Sequence, residues 1–425
     1  MRFHLALATL TAWCLLTPSA QAADYPYPYR NPYLATATTA ILSGNGACVE
    51  SSILRVAGLP GRNTLPTLEG RGDVSLALYQ HGRPAPLLFI LPGLGANPYF
   101  GVAPYLADLF HREGFHVVIL PSPMSWNFAL SASRSGAPGY APADAQDLYE
   151  VMQKTLTSLR TRHDLNATAI HFLGISLGAL EGAYLSVIDA EEKKIGIARY
   201  LLVNPPVNLA YAVDTIDEWT MLTREFGREK SRELVSKALA IVDSFSYERG
   251  DDPAVFGRFV KKFAGFTKEE IQFLIAANLQ SQLAELVYVT QVIHDQNVLT
   301  APKNDMRKRL NEAKTLTFSD YNRKIALPVW RKQLGNRRAD LDTFIKQGSL
   351  GRIVDRLRGN PRVHIVHNAD DFLSERKSLE ALKQTLGAQM TFYPRGGHLG
   401  NLWFPENKAH ALRFLRMPIN STGPK

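Results

Sequence analysis

The sequence predicts an α/β fold, a mostly parallel sheet flanked by helices with an inserted α-helical cap. Three observations predict it. Between residues 72 and 207, apolar runs of strand length alternate with amphipathic helical stretches, the rhythm of βαβ units. From 208 to 348 the apolar runs give way to leucine, isoleucine, valine and alanine at helical spacing. The α/β rhythm then resumes and occupies 349–417, with a polar tail at 418–425.

In chain order, the first element is a leader. Arg2 precedes the apolar run Leu5 to Leu16, and Ala20 and Ala22 supply the small side chains of a cleavage site, so residues 1–22 read as a signal peptide cleaved after Ala22. The apolar core is shorter than the roughly 20 residues that span a bilayer. Export to the periplasm or medium is the expectation. Cys14 falls in the leader without a lipidation context, which leaves Cys48 alone in the mature chain and no internal disulfide to staple the fold. Residues 23–71 form an N-terminal extension. Its start, Asp24 to Ala35, alternates proline and tyrosine and is expected to lie extended along the body.

The core begins with the alternating run Val74 to Tyr79, expected to be a half-buried strand. Pro86 to Leu91 is apolar throughout, as a strand covered on both faces is, and ends in Pro92-Gly93-Leu94-Gly95. A helix at 101–113 and a buried strand at 116–120 follow. The stretch 121–140 reads as a long loop with Trp126 and Phe128 as candidate pocket residues, long enough to carry function. A helix at 143–159, a strand at 169–175, a helix behind Ser176 and a strand at 199–203 complete this half. After the cap come a strand at 363–367, a helix from Ser374, which is placed to cap it, to Leu386, a strand at 389–393 and a terminal helix at 406–416.

The formal charge of +9 is moderate, and the chain has no aromatic-interleaved basic motif, so nucleic-acid binding is not expected. Within the cap, 301–338 holds eleven basic residues against three acids. Two readings stand, a solvated face and weak attraction to an anionic membrane or envelope surface. The histidines show no metal-ligand spacing. Neither a metal nor a cofactor is expected.

The chemistry concentrates at Gly174-Ile175-Ser176-Leu177-Gly178. An apolar strand ahead of it and a helix behind supply the strand–turn–helix context in which Gly-x-Ser-x-Gly exposes a serine on a tight turn. A serine hydroxyl needs a base to take its proton, and the base needs an acid to orient it. Asp370 and Asp371 follow one predicted strand, and His398 follows the last. His171, His364 and His367 lie within strands and read as core or edge residues.

These motifs, in the order serine, aspartate, histidine, resemble the α/β-hydrolase superfamily over about 72–207 and 350–416, with a large cap after the sixth strand. The resemblance implies that Ser176 attacks and that His398 acts as base and then acid. It implies that one of the two aspartates orients the histidine. Family spacing after Asn368 favours Asp371, with Asp370 the alternative and Asp214 or Asp217 remote ones. It also assigns the oxyanion hole to the backbone N–H groups of Leu94 and Leu177, with Pro92 where many relatives carry histidine. The expected function is hydrolysis of a carboxylic ester, small-molecule or lipid-like, through an acyl-enzyme. The same machinery serves peptidases, aminopeptidases and thioesterases, and Asp217 or Glu218 are candidates for recognising a free amino terminus. A third reading, from another class, is a non-catalytic envelope binding or assembly module on this scaffold.

Overall fold

The computed structural model describes residues 25–44, 50–62, 68–245, 248, 252–333, 335 and 338–418. The leader with its cleavage site, Cys48 and the tail after Pro418 lie outside the described residues. Eight strands form one sheet: β1 Ser52–Val56, β2 Val74–Tyr79, β3 Ala85–Leu91, β4 His116–Ile119, β5 Ala167–Ile175, β6 Arg199–Val203, β7 Val363–Asn368 and β8 Met390–Tyr393. Their order is β1-β2-β4-β3-β5-β6-β7-β8. β2 runs antiparallel to both β1 and β4, and all the other neighbours are parallel. β3 and β5 to β8 therefore deliver their carboxyl ends to one edge, where α/β sheets place their ligands.

The two-residue period of β3 explains why its run is apolar throughout. Leu87, Phe89 and Leu91 belong to the apolar cluster on one side of the sheet, which also holds Leu148 and Met152 of helix Ala141–Arg162, Leu180 of helix Leu177–Glu192 and Leu379 of helix Arg376–Leu386. Leu88 and Ile90 belong to the cluster on the other side, with Leu106 and Phe110 of helix Val102–Arg112 and Phe414 and Leu415 of helix Pro405–Arg416. Each such side chain contributes about 1.5–3 kcal/mol on burial. With both faces covered, no position along the strand is left for a polar residue.

Between β6 and β7 the chain is helical. Helix Leu209–Asp243 is kinked at Gly227, where φ is 71° and ψ 173°. Helices Pro253–Phe263 and Lys268–His294 follow, then shorter ones up to Leu341–Gly348. Helix Lys268–His294 has a well-defined start: Thr267 Oγ1 accepts from Glu270 N, and Glu270 Oε2 accepts from Thr267 N, a reciprocal capping box. Phe256 stacks on Trp403 with centroids 3.8 Å apart, which anchors the helical layer to the core.

Several expectations change. Residues 25–31 do lie along the body, but from Pro32 the segment is helical, because Asn31 Oδ1 accepts from Tyr33 N and Leu34 N and proline suits the first helical turn. β1 falls within the stretch read as an extension. The 121–140 loop contains a helix, Trp126–Ser131, capped by Ser125, and it turns Phe128 fully into the core instead of towards a pocket. Ser374 caps nothing: helix Arg376–Leu386 has Glu375 as its N-cap residue, with no side-chain cap hydrogen bond. In the basic stretch, Lys308 and Lys324 pair with Asp305 and Asp320, Lys303 with Asp295, and the buried Arg309 bonds Ala301 O.

Candidate active site

β5 ends at Ile175 and the following helix begins at Leu177, so a single residue, Ser176, makes the turn. Its φ of 53° and ψ of −123° place a non-glycine residue in a sparsely populated region, at a cost of order 1–3 kcal/mol. Absent side chains on either side make the turn feasible. A Cβ on Gly174 would lie 2.3 Å from Gly178 O, and one on Gly178 would lie 2.3 Å from Leu91 O and 2.5 Å from Pro92 O. A Cβ on Gly93 would sit 3.1 Å from Ser176 Cβ, so the loop after β3 passes directly beside the serine.

His398 arrives on the turn after β8. Its Nε2 is 2.9 Å from Ser176 Oγ, and its Nδ1 is 2.9 Å from Asp371 Oδ2 and 3.1 Å from Oδ1. An ionised carboxylate only accepts, so Nδ1 carries the proton donated to Asp371 and Nε2 is left to accept from the serine hydroxyl. This is the tautomer in which a histidine takes the serine proton.

Asp371 is almost fully buried and held by more than the histidine. Asn204 Nδ2 donates to Oδ2 at 2.7 Å, Leu373 N donates to Oδ1 at 3.0 Å, and His367 Nδ1 lies 3.8 Å from Oδ2. Burial pushes the carboxyl up. The field and hydrogen bond of His398, then the field of His367 and the Leu373 N–H, outweigh that and bring it below the ordinary carboxylate value.

The remaining acids separate cleanly. Asp370 points away from the histidine ring; its Oδ1 accepts from Gly397 N at 2.8 Å, and burial raises its pKa. Asp217 accepts from Phe318 N and Ser319 N at 2.8 and 2.9 Å, which engages it at another helix start, and Asp214 and Glu218 are exposed. Leu94 follows Gly93 in the loop beside the serine, and Leu177 opens the helix, where an N–H has no intrahelical acceptor. Among the described residues neither N–H has a hydrogen-bond partner. Both side chains pack against the apolar cluster of the helical layer, with Leu279, Val213 and Phe372.

Sequence reasoning missed Asn204 and underrated His367. Asn204 sits directly after β6 at φ 51°, a conformation asparagine tolerates better than most residues, and an asparagine at a strand's carboxyl end was the available signal. His367 is fully buried, with Nε2 3.1 Å from Pro205 O, and forms the wall behind Asp371. Among the described residues, no group of three or more histidine, cysteine, aspartate or glutamate side chains is disposed to hold a metal, and no helix is long and apolar enough to cross a membrane.

The strand order, the elbow at β5 and the residues that follow β7 and β8 define an α/β-hydrolase fold. No family model and no curated protein matches the sequence. Solved structures similar to it include an α/β hydrolase, GrgF, from Penicillium sp. sh18, at 14% identity over 86% of this chain and 98% of that one, with a TM-score of 0.44. The thioesterase domain from the curacin biosynthetic pathway is 14% identical over 87% of this chain and 99% of that one, with a TM-score of 0.36. The Pyrococcus furiosus esterase PF2001 is 11% identical over 87% and 92%, with a TM-score of 0.39.

Proposed function

We propose that the protein is a serine hydrolase that cleaves carboxylic esters of an acyl or lipid-like kind through an acyl-enzyme. The observation that carries this reading is the unbroken row from Ser176 Oγ to His398 Nε2 at 2.9 Å and from His398 Nδ1 to Asp371 at 2.9 Å. In this reading Ser176 attacks the carbonyl carbon while its proton passes to His398, and Asp371 stabilises the imidazolium so formed. His398 returns the proton to the leaving alcohol. A water deprotonated by the same histidine then hydrolyses the ester on Ser176. The N–H groups of Leu94 and Leu177 receive the oxyanion in both steps, each worth about 3–4 kcal/mol by precedent.

An acyl substrate is favoured over an amino-terminal peptide by the surroundings. The side chains of Leu94 and Leu177 abut an apolar cluster, whereas Asp217, one candidate for binding an ammonium group, already accepts two backbone N–H groups. A thioester is the nearest alternative, since the same groups serve it. Export to the periplasm or medium belongs to the proposal on the strength of the leader sequence.

The test is labelling of the mature protein by a fluorophosphonate probe together with hydrolysis of p-nitrophenyl esters of graded acyl length, each beside Ser176→Ala. Labelling and turnover that both vanish in the variant are expected. Turnover that survives the substitution, or a wild-type protein that never labels, overturns the reading.

A further inference from the structure

The turn that carries His398 is held from outside by the N-terminal segment. Gly396, Gly397 and Leu399 have φ values of 148°, 58° and 67°, and a leucine in the left-handed region persists only where its surroundings over-determine it. Residues 25–38 supply those surroundings. His398 N–H donates to Thr36 Oγ1 at 2.8 Å, and the same hydroxyl donates to Pro32 O at 2.8 Å, so both its capacities are used in fixing one point. Tyr27 O–H donates to Gly400 O, while Arg395 Nε and its terminal nitrogen donate to Tyr27 O and Tyr25 O. The backbones touch: a Cβ on Gly397 would lie 2.2 Å from Pro32 O, and one on Gly400 2.2 Å from Ala35 O. Tyr33 of the same segment stacks on Phe372, the residue after Asp371, with centroids 5.1 Å apart, and meets Trp219 of the helical layer edge-on.

We propose that Thr36 is a positioning residue for His398, its hydroxyl fixing turn 396–400 so that one imidazole reaches Asp371 and Ser176 together. The docked segment 25–38 is thereby part of the active site. This rests on the serine-hydrolase reading for its effect on rate, though not for its effect on geometry. Thr36 touches no reacting atom and acts through the backbone of His398 alone.

The test compares Thr36→Val, which keeps the shape without the hydroxyl, with Thr36→Ser, which keeps the hydroxyl, in the mature full-length chain. Two readouts are taken. One is the rate of fluorophosphonate labelling of Ser176. The other is the downfield proton resonance of the His398–Asp371 hydrogen bond, which needs no turnover. Thr36→Val is expected to label on the order of tenfold more slowly or worse, and to shift or broaden the proton signal. Thr36→Ser is expected to restore both to near the wild type. If the valine protein does not fold, Thr36→Ala against Thr36→Ser makes the same comparison. Equal labelling rates and an unchanged proton in the valine or alanine variant overturn the proposal. A wild type that never labels, but whose proton moves in the variant, overturns the hydrolase reading and leaves the positioning role standing.

Discussion

Asn204→Gly removes one hydrogen bond to the buried carboxylate and little else, because glycine adopts φ 51° freely where alanine would add strain. The bond removed is the 2.7 Å donation from Asn204 Nδ2 to Asp371 Oδ2. A hydrogen bond to a charged partner contributes about 1.5–3 kcal/mol. Because the bond favours the ionised carboxylate, its loss raises the Asp371 pKa. The sign follows from the native carboxyl, which lies below its ordinary value. Its contribution to stability is present above the unfolded pKa, near 4, and is lost as pH falls through the folded one. In the variant, whose folded pKa is higher, that contribution is smaller and its loss is complete at a higher pH. The stability gap between wild type and variant at pH 7 is therefore the bond's about 1.5–3 kcal/mol plus the about 0.5–1 kcal/mol that glycine costs in chain entropy, about 2–4 kcal/mol together. It narrows on acidification, as pH falls through the variant's folded pKa, towards the glycine cost alone. Urea unfolding followed by circular dichroism, from pH 7 down to the acid limit of the folded state, measures the gap. A gap that keeps its size down to that limit refutes the argument, since the bond would then not be acting through the charge on Asp371.

Gly178→Ala tests the elbow sterically. The new methyl would meet Leu91 O and Pro92 O at 2.3 and 2.5 Å, and both are backbone atoms at the root of the loop carrying Leu94. Overpacking of this kind costs about 1–3 kcal/mol, and displacement of one oxyanion donor a further factor of about 10²–10³ in kcat, read as melting temperature and ester turnover. Asp144→Asn tests the acids buried between helix Ala141–Arg162 and helix Leu177–Glu192. Burial pushes Asp144 up to about 8 and Glu181 well above its ordinary value, with Asp147 adding to both. An acid whose folded pKa is raised stabilises fully below its unfolded pKa, near 4, and loses that contribution as pH climbs through the folded one. The asparagine variant should therefore gain on the wild type between pH 5 and 8, by up to about 1.4 kcal/mol per pH unit in urea unfolding, and a difference flat with pH refutes the shift.

What was legible in the sequence is what short-range pattern encodes. The run of β3 is apolar throughout because both faces are covered, and the elbow shows itself through two glycines that admit no Cβ. Composition alone does not separate Asp370 from Asp371; the family spacing after Asn368 favours Asp371, and the turn after β7 sends Asp371 to the histidine ring and Asp370 to the Gly397 N–H. Phe128 was misread because an aromatic in a serine- and glycine-rich stretch carries no sign of the single helical turn that Ser125 caps and buries.

The unread residues share a physical property, which is distance along the chain. Asn204 meets Asp371 across 167 positions, and Thr36 meets His398 across 362. Neither partner pair has a periodicity to betray it, since a polar side chain that satisfies one buried group is chosen by geometry at that point alone. The proline- and tyrosine-rich start is the sharpest case. Its composition forbids regular sheet pairing, which makes it look dispensable. The same prolines fix an extended approach and a helix start at Pro32, while the tyrosines fill the space around Trp403 and Phe372 and put their hydroxyls on Gly400 O, Asn407 and Asn401. A segment without secondary-structure signal thus becomes the support of the turn on which His398 stands.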